Sequence, residues 1–174
     1  YSIEICQRIA DHIRETLKLD ALKINYVVAT PATRFVLVKS GKIDMECSAT
    51  TNNAERREQV AFSYPHFITA TRFVAKKSSA LNSIKDLAGR TVASTTGTVN
   101  IEQLQNVNRQ EKLNISVLIS KVNSEAFAMV ENNRASAFVM DDVLLAAHVA
   151  FSNAPGDYTI SRDTFGPPEP YGIL

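Results

Sequence analysis

Three short stretches concentrate side chains able to hold small charged groups. The first, "CSATTNNAERRE" from Cys47 to Glu58, sets Thr50, Thr51, Asn52 and Asn53 where a helix N-cap belongs, with Arg56 in the first turn that follows. Capping alone explains the hydroxyl and amide cluster, and Glu55 and Glu58 suit the positive end of a helix dipole. Arg56 does not suit it, because a cation in the first turn is unfavourable unless an anion sits there too. Free backbone N–H groups, hydroxyls and a guanidinium fork together form a clamp for a carboxylate or phosphate. The second stretch, "STTGTVN" from Ser94 to Asn100, turns from a strand into a helix through Gly97 and Thr98 and offers another small-anion seat. It lacks the lysine of a P-loop and the spacing of a dinucleotide fingerprint, so a small carboxylate fits better than a nucleotide. The third, "FVMDDVLL", puts Asp141 and Asp142 where a strand becomes a helix. Either can be a helix-cap carboxylate, and either is placed to hold an ammonium group at the carboxyl edge of a sheet. Two anion seats and one cation seat describe an amino acid.

The elements that must position these groups alternate. Residues 1–18 carry Ile5, Ile9, Ile13 and Leu17 at intervals of four, with Cys6 and Ala10 beside them, which predicts an amphipathic helix. "LKINYVVA" predicts a buried strand, "TRFVLVKSG" a short helix closed by Gly41, "IDMEC" a brief strand, and a further helix starts near Ala54. A strand is expected near "HFITATRFVAKK". The second half predicts a short segment at "IKDL", strands at "RTVAS", "ISVLIS" and "ASAFVMDD", a helix after Thr98, one started by Ser124, and another over "VLLAAHVAF". "YTISRD" reads as a strand, and "FGPPEPYGIL" as a proline-stiffened connection into a last strand. The alternation predicts an α/β architecture, with helices packed on sheets.

Composition narrows the function classes. Nineteen Lys and Arg against 18 Asp and Glu give a net charge of +1 with no long block of one sign, so nucleic acid is not an expected partner. "VLLAAHVAF" falls far short of the roughly 20 apolar residues of a membrane span, and no direct membrane insertion is expected. Signal-peptide regions do not open the chain. His12, His66 and His148 are scattered, without metal-ligand spacing, and no metal or cofactor is expected. Cys6 and Cys47 lack CxxC spacing; buried free thiols are the first expectation and a single disulfide the alternative. The chain opens directly on a helix and stops just as an apolar segment begins, which suggests a fragment.

Taken in order, "SGKIDMECSATTNNAERREQVAFSYPHF", "IKDLAGRTVASTTGTVN" and "RASAFVMDDVLLA" resemble the periplasmic amino-acid-binding proteins of ABC importers, solute-binding protein family 3, and within them the glutamate/aspartate binders. The resemblance spans almost the whole chain. It implies the two-lobed type II periplasmic-binding-protein fold, each lobe a sheet flanked by helices: lobe one over 1–74, lobe two over 75–168, and the start of a return crossing over 169–174. It implies a periplasmic receptor that is not an enzyme, closes on a polar, acidic amino acid and presents it to a membrane permease. Two other readings stay open on the same fold: a dehydratase-like enzyme, for which Glu46 and His66 are the nearest acid candidates, and the sensor domain of a membrane receptor.

Carried residue by residue, the resemblance assigns Arg56 to the ligand α-carboxylate and Thr51 beside it. A backbone carbonyl of Thr50 or Ala49 is assigned to the α-amino group, Thr98 to the anion loop, and Asp141, with Asp142 as neighbour or alternative, to the ammonium. Arg34 falls where acidic-ligand binders place an arginine for the side-chain carboxylate; the alternative is a surface arginine opening a helix. Ala49 stands where those binders have serine, Pro31 replaces a hydroxyl position, and Val99 replaces a second threonine. Each change removes a hydrogen bond of about 0.5–1.5 kcal/mol. Ile173 stands where they carry a cysteine, which implies a free thiol at Cys47.

Overall fold

The computed structural model describes residues 1–174, the whole chain, as two compact units: Tyr1–Ile68 with Pro170–Leu174, and Thr69–Glu169. The first unit opens with α1, Ser2–Thr16, carrying Glu4 in its first turn and Arg14 in its last, each at the dipole end that favours it. Its buried residues are Cys6 and Ala10, one turn apart, whereas Ile3, Ile13 and Leu17 are exposed. Cys6 is covalently bonded to Cys47, so the expectation of free thiols is overturned. The pairing has a simple cause: Cys6 lies on the inward stripe of α1, and the 41-residue separation lets the chain return to it.

Two expected strands are absent here. Residues 22–29 form no strand, and Ile24, Tyr26, Val27 and Val28 are exposed, Val28 at 95%. The β-branched run has strand propensity, but propensity does not supply a pairing partner. "IDMEC" is also unassigned as a strand. Glu46 nonetheless exchanges backbone hydrogen bonds with Leu174, and the pairing continues through Gly172 N–H to Thr50 and Asn52 N–H to Pro170. On the other side, Ser63 N–H donates to Ile173 and His66 N–H to Tyr171. Pro170–Leu174 is thus threaded between two segments. Gly172 fits closely there: a Cβ would lie 3.0 Å from the Phe62 ring, which would have to shift to admit it. Helix α2, Arg34–Lys39, ends as expected at Gly41: with φ at +67°, Gly41 N–H bonds Val38 and Lys42 N–H bonds Leu37, a Schellman closure. Helix α3, Ala54–Arg57, is a single turn.

Strands β1, Phe67–Thr69, and β7, Glu169–Tyr171, pair in a two-stranded sheet, and the division between the units falls inside both. The expected strand over "HFITATRFVAKK" is therefore two, broken at Ala70, whose carbonyl accepts from Asp142 N–H.

The second unit is built on a five-stranded sheet in the order β4-β3-β5-β2-β6, from β2 (Thr71–Lys76), β3 (Thr91–Thr95), β4 (Ser116–Ser120), β5 (Ala137–Asp141) and β6 (Tyr158–Ile160). β3 pairs parallel with β4 and β5, while β2 pairs antiparallel with β5 and β6. Alternate residues feed two separate cores, as the period of two demands. Phe73, Val92, Ala137 and Val139 pack with Leu104 of α4 (Val99–Gln110) on one face. Val74, Ala93, Phe138 and Met140 pack on the other with Phe127 of α5 (Asn123–Glu131) and Leu145 of α6 (Asp142–Ala150). Helix α5 begins one residue before Ser124, with Val122 in the cap position. Lys76 Nζ closes its far end by donating to the Glu131 carbonyl. The short segment expected at "IKDL" is a 3₁₀ turn with a capping box from Ser83 and Asp86.

Candidate functional site

In the first unit the candidate residues converge on one buried polar knot. Arg34, at the start of α2, is 5% exposed, which rules out the surface alternative. Its Nη1 donates to Thr50 Oγ1 at 2.5 Å and to the Ala49 carbonyl at 3.3 Å. Thr50 passes its own hydroxyl proton to Glu46 Oε2 at 2.7 Å, and Glu46 Oε1 lies 4.0 Å from the Arg34 guanidinium. Asn53 caps α3 by accepting from Arg56 N–H. The Arg56 side chain folds back so that Nη1 donates to the Thr51 carbonyl at 3.1 Å.

Phe35 organises the pair of cations. The guanidinium carbons of Arg34 and Arg56 lie 5.5 and 5.3 Å from the centroid of its ring, within cation–π range. In the sequence Phe35 is one apolar residue of the run "RFVLV", with nothing beyond its adjacency to Arg34 to mark it as part of a site. Burial pushes the Glu46 carboxyl above its ordinary 4.5, even though the Thr50 hydrogen bond and the charges of Arg34 and Arg56 pull it down. Its carboxylate is engaged in holding Thr50 and Arg34. His66 lies against Tyr1, with neither ring nitrogen hydrogen-bonded.

In the second unit, Gly97 takes φ +74°, the left-handed conformation the turn into α4 needs. Thr98 is the N-cap of α4: its hydroxyl accepts from Ile101 N–H and donates to the Thr95 carbonyl at 2.7 Å. Asp141 and Asp142, adjacent in sequence, part company. Asp141 is buried at the end of β5, and its Oδ1 accepts from Asn100 Nδ2 at 2.7 Å. Asp142 is half-buried: it accepts from Thr69 Oγ1 at 2.7 Å and from Val143 N–H in the first turn of α6, and pairs with Arg72 Nε at 3.4 Å. Asn100, Thr71 and the buried Glu169 join Asp141 in one hydrogen-bonded row that sequence reasoning did not find. Glu169 sits between two prolines in a stretch that reads as a linker. The unit therefore presents a hydroxyl-capped helix N-terminus and a buried carboxylate, chemistry suited to a small ligand bearing both charges.

A profile of the bacterial extracellular solute-binding proteins, family 3, matches residues 1–148. The chain is 35% identical over 173 residues to an L-glutamate/L-aspartate-binding protein of Pseudomonas aeruginosa, covering 99% of this chain and 56% of that protein. It is 32% identical over 171 residues to a glutamate/aspartate import solute-binding protein of Escherichia coli, covering 95% of this chain and 57% of that one. The chain thus spans little more than half the length of these curated relatives. Among solved structures it is similar to an ancestral arginine-binding protein bound to arginine, at 28% identity and a TM-score of 0.83, over 99% of this chain and 72% of that one. A holo ArgBP from T. maritima gives 26% identity and a TM-score of 0.83, over 99% and 70%. The expected type II periplasmic-binding-protein architecture stands on these likenesses. With the profile matching most of its length, the chain belongs to the bacterial extracellular solute-binding proteins, family 3.

Proposed function

We propose that the protein is an extracytoplasmic receptor for an acidic amino acid, glutamate or aspartate, and that it delivers this ligand to the permease of an ABC importer. The observation that carries the reading is the pair of buried guanidiniums flanking Phe35 in the first unit. Both lie close enough to the buried Glu46 to pull its carboxyl down, and a pair of guanidiniums is donor chemistry suited to a dicarboxylate. The names of the Pseudomonas aeruginosa and Escherichia coli relatives support the same ligand class. The two units act as the two lobes. Arg56 and Thr51 receive the α-carboxylate, Arg34 the side-chain carboxylate, and the carbonyl of Thr50 or Ala49 the α-amino group. In the second unit, Thr98 faces carboxylate and Asp141 the ammonium, while Asp142 serves the helix start. The role is capture and release in the periplasm rather than catalysis, since Glu46 is committed to Thr50 and Arg34.

Arginine-binding structural neighbours make ligand charge the decisive question. Calorimetric titration with L-glutamate, L-aspartate, L-glutamine and L-arginine answers it. The expected result is heat with the two acidic amino acids and roughly 10- to 100-fold weaker binding in Arg56→Ala, the loss of a charge-assisted hydrogen bond pair. Binding of L-arginine alone, or an unaffected Arg56→Ala, overturns the assignment.

A further inference from the structure

The carboxylate of Asp141 is held by a row of side chains whose partners lie far apart in the chain. Thr71 and Asp141 are directly opposed in the antiparallel β2–β5 register, so both side chains leave the sheet on one face. Asn100, in the first turn of α4, crosses over both: its Nδ2 donates to Asp141 Oδ1 at 2.7 Å and to Thr71 Oγ1 at 2.7 Å. Thr71 in turn donates its hydroxyl proton to Glu169 Oε1 at 2.8 Å, where Gln103 Nε2 adds a second donor at 2.9 Å. All of Thr71, Asn100, Asp141 and Glu169 are buried.

Donor and acceptor counting leaves one arrangement. Thr71 has a single proton, which goes to the Glu169 carboxylate, so its oxygen must accept from Asn100. Both amide protons of Asn100 are then used, one on each neighbour, and a flipped amide would set its oxygen against two acceptors. The row is directional, and it fixes the rotamer of Asn100 and, through it, that of Asp141.

We infer that Asn100 is a positioning residue for amino-group recognition: with Thr71 and Glu169 behind it, it locks the Asp141 carboxylate in the orientation that receives the ligand ammonium. This rests on the amino-acid-receptor reading, and goes beyond it by locating the selectivity for an amine in a residue that does not touch the ligand. Preorganisation of this kind removes the ordering cost of the carboxylate from the binding step.

The test compares L-glutamate with glutarate, which keeps both carboxylates and lacks the amine, on wild type, Asn100→Ala, Thr71→Val and Thr71→Ser, by calorimetry and competition. Asn100→Ala is expected to weaken L-glutamate at least tenfold while leaving glutarate within twofold, so that the preference for the amine collapses. Thr71→Val, which cuts the link to Glu169 and spares the Asn100–Asp141 bond, is expected to show a smaller loss of the same kind, and Thr71→Ser to restore wild-type preference. If melting shows that Asn100→Ala does not fold, the Thr71 pair decides alone. Equal losses for both ligands indicate general loosening and overturn the inference, as does unchanged L-glutamate affinity. Failure of wild type to bind any amino acid instead removes the receptor reading, and the inference falls with it.

Discussion

The two units solve the problem of an interior in opposite ways. The second is a sheet with apolar cores on both faces, from Phe73 and Leu104 on one side to Phe138 and Leu145 on the other. In the first, the buried apolar residues are only Cys6, Ala10, Tyr171, Ile173 and Leu174, against buried Arg34, Glu46, Thr50, Thr51, Asn52 and Arg56. Apolar burial stabilises without regard to direction. A polar interior is stable only while every partner is in place, and losing one leaves the other unsatisfied. The unit that holds the candidate anion clamp therefore relies on a covalent bond and charge-assisted hydrogen bonds, and the other relies on packing.

The contrast can be broken or sharpened by substitution. Phe138→Ala empties a fully buried site and is expected to destabilise the second unit by about 3–5 kcal/mol in urea unfolding. A loss below about 1 kcal/mol would mean that its apolar core is not what holds it. Cys6→Ser is expected to lower stability by about 2–4 kcal/mol, with hydrogen exchange accelerated in α1 and around Cys47. Unchanged exchange there would show that the polar knot suffices without the bond. Glu46→Gln gives a pH-dependent difference. Because the folded carboxyl titrates above its ordinary 4.5, its contribution is fully present below that value and is lost as pH rises through the raised one. Wild type is thus expected to lose ground to the Gln variant on going from acid toward neutral pH, and a gap independent of pH would remove burial as the dominant effect. Smallest of all, Val28→Ser is expected to change stability by no more than about 0.5 kcal/mol, since the side chain is 95% exposed. A larger loss would place that segment inside a core.

The same contrast explains what could be read from the residues alone. Strands of the second unit are encoded by local runs such as "RTVAS" and "AFVMD", and the helices by period and caps, so almost every element there was legible. In the first unit the run "LKINYVV" carries the same local signal yet forms no strand, because strand formation depends on a partner that local sequence does not name. The candidate clamp residues Arg34, Thr50, Thr51 and Arg56 were legible as types, and the structure gathers them in one knot. What joins distant segments was hidden: the Cys6–Cys47 bond across 41 residues, and the row from Glu169 through Thr71 and Asn100 to Asp141. In each case a side chain's role depends on another placed tens of residues away.

The threading of Pro170–Leu174 between segments near Glu46 and Ser63 has a consequence for biosynthesis. Thr69–Glu169 is continuous and can fold as soon as it emerges, whereas the first unit is discontinuous and lacks its central thread until the residues after Glu169 have been made. A chain that emerges N-terminus first leaves the early segment waiting until the whole of the second unit has followed it. Through that interval the Cys6–Cys47 bond is the one covalent restraint available to it, provided an oxidant reaches the nascent chain in time.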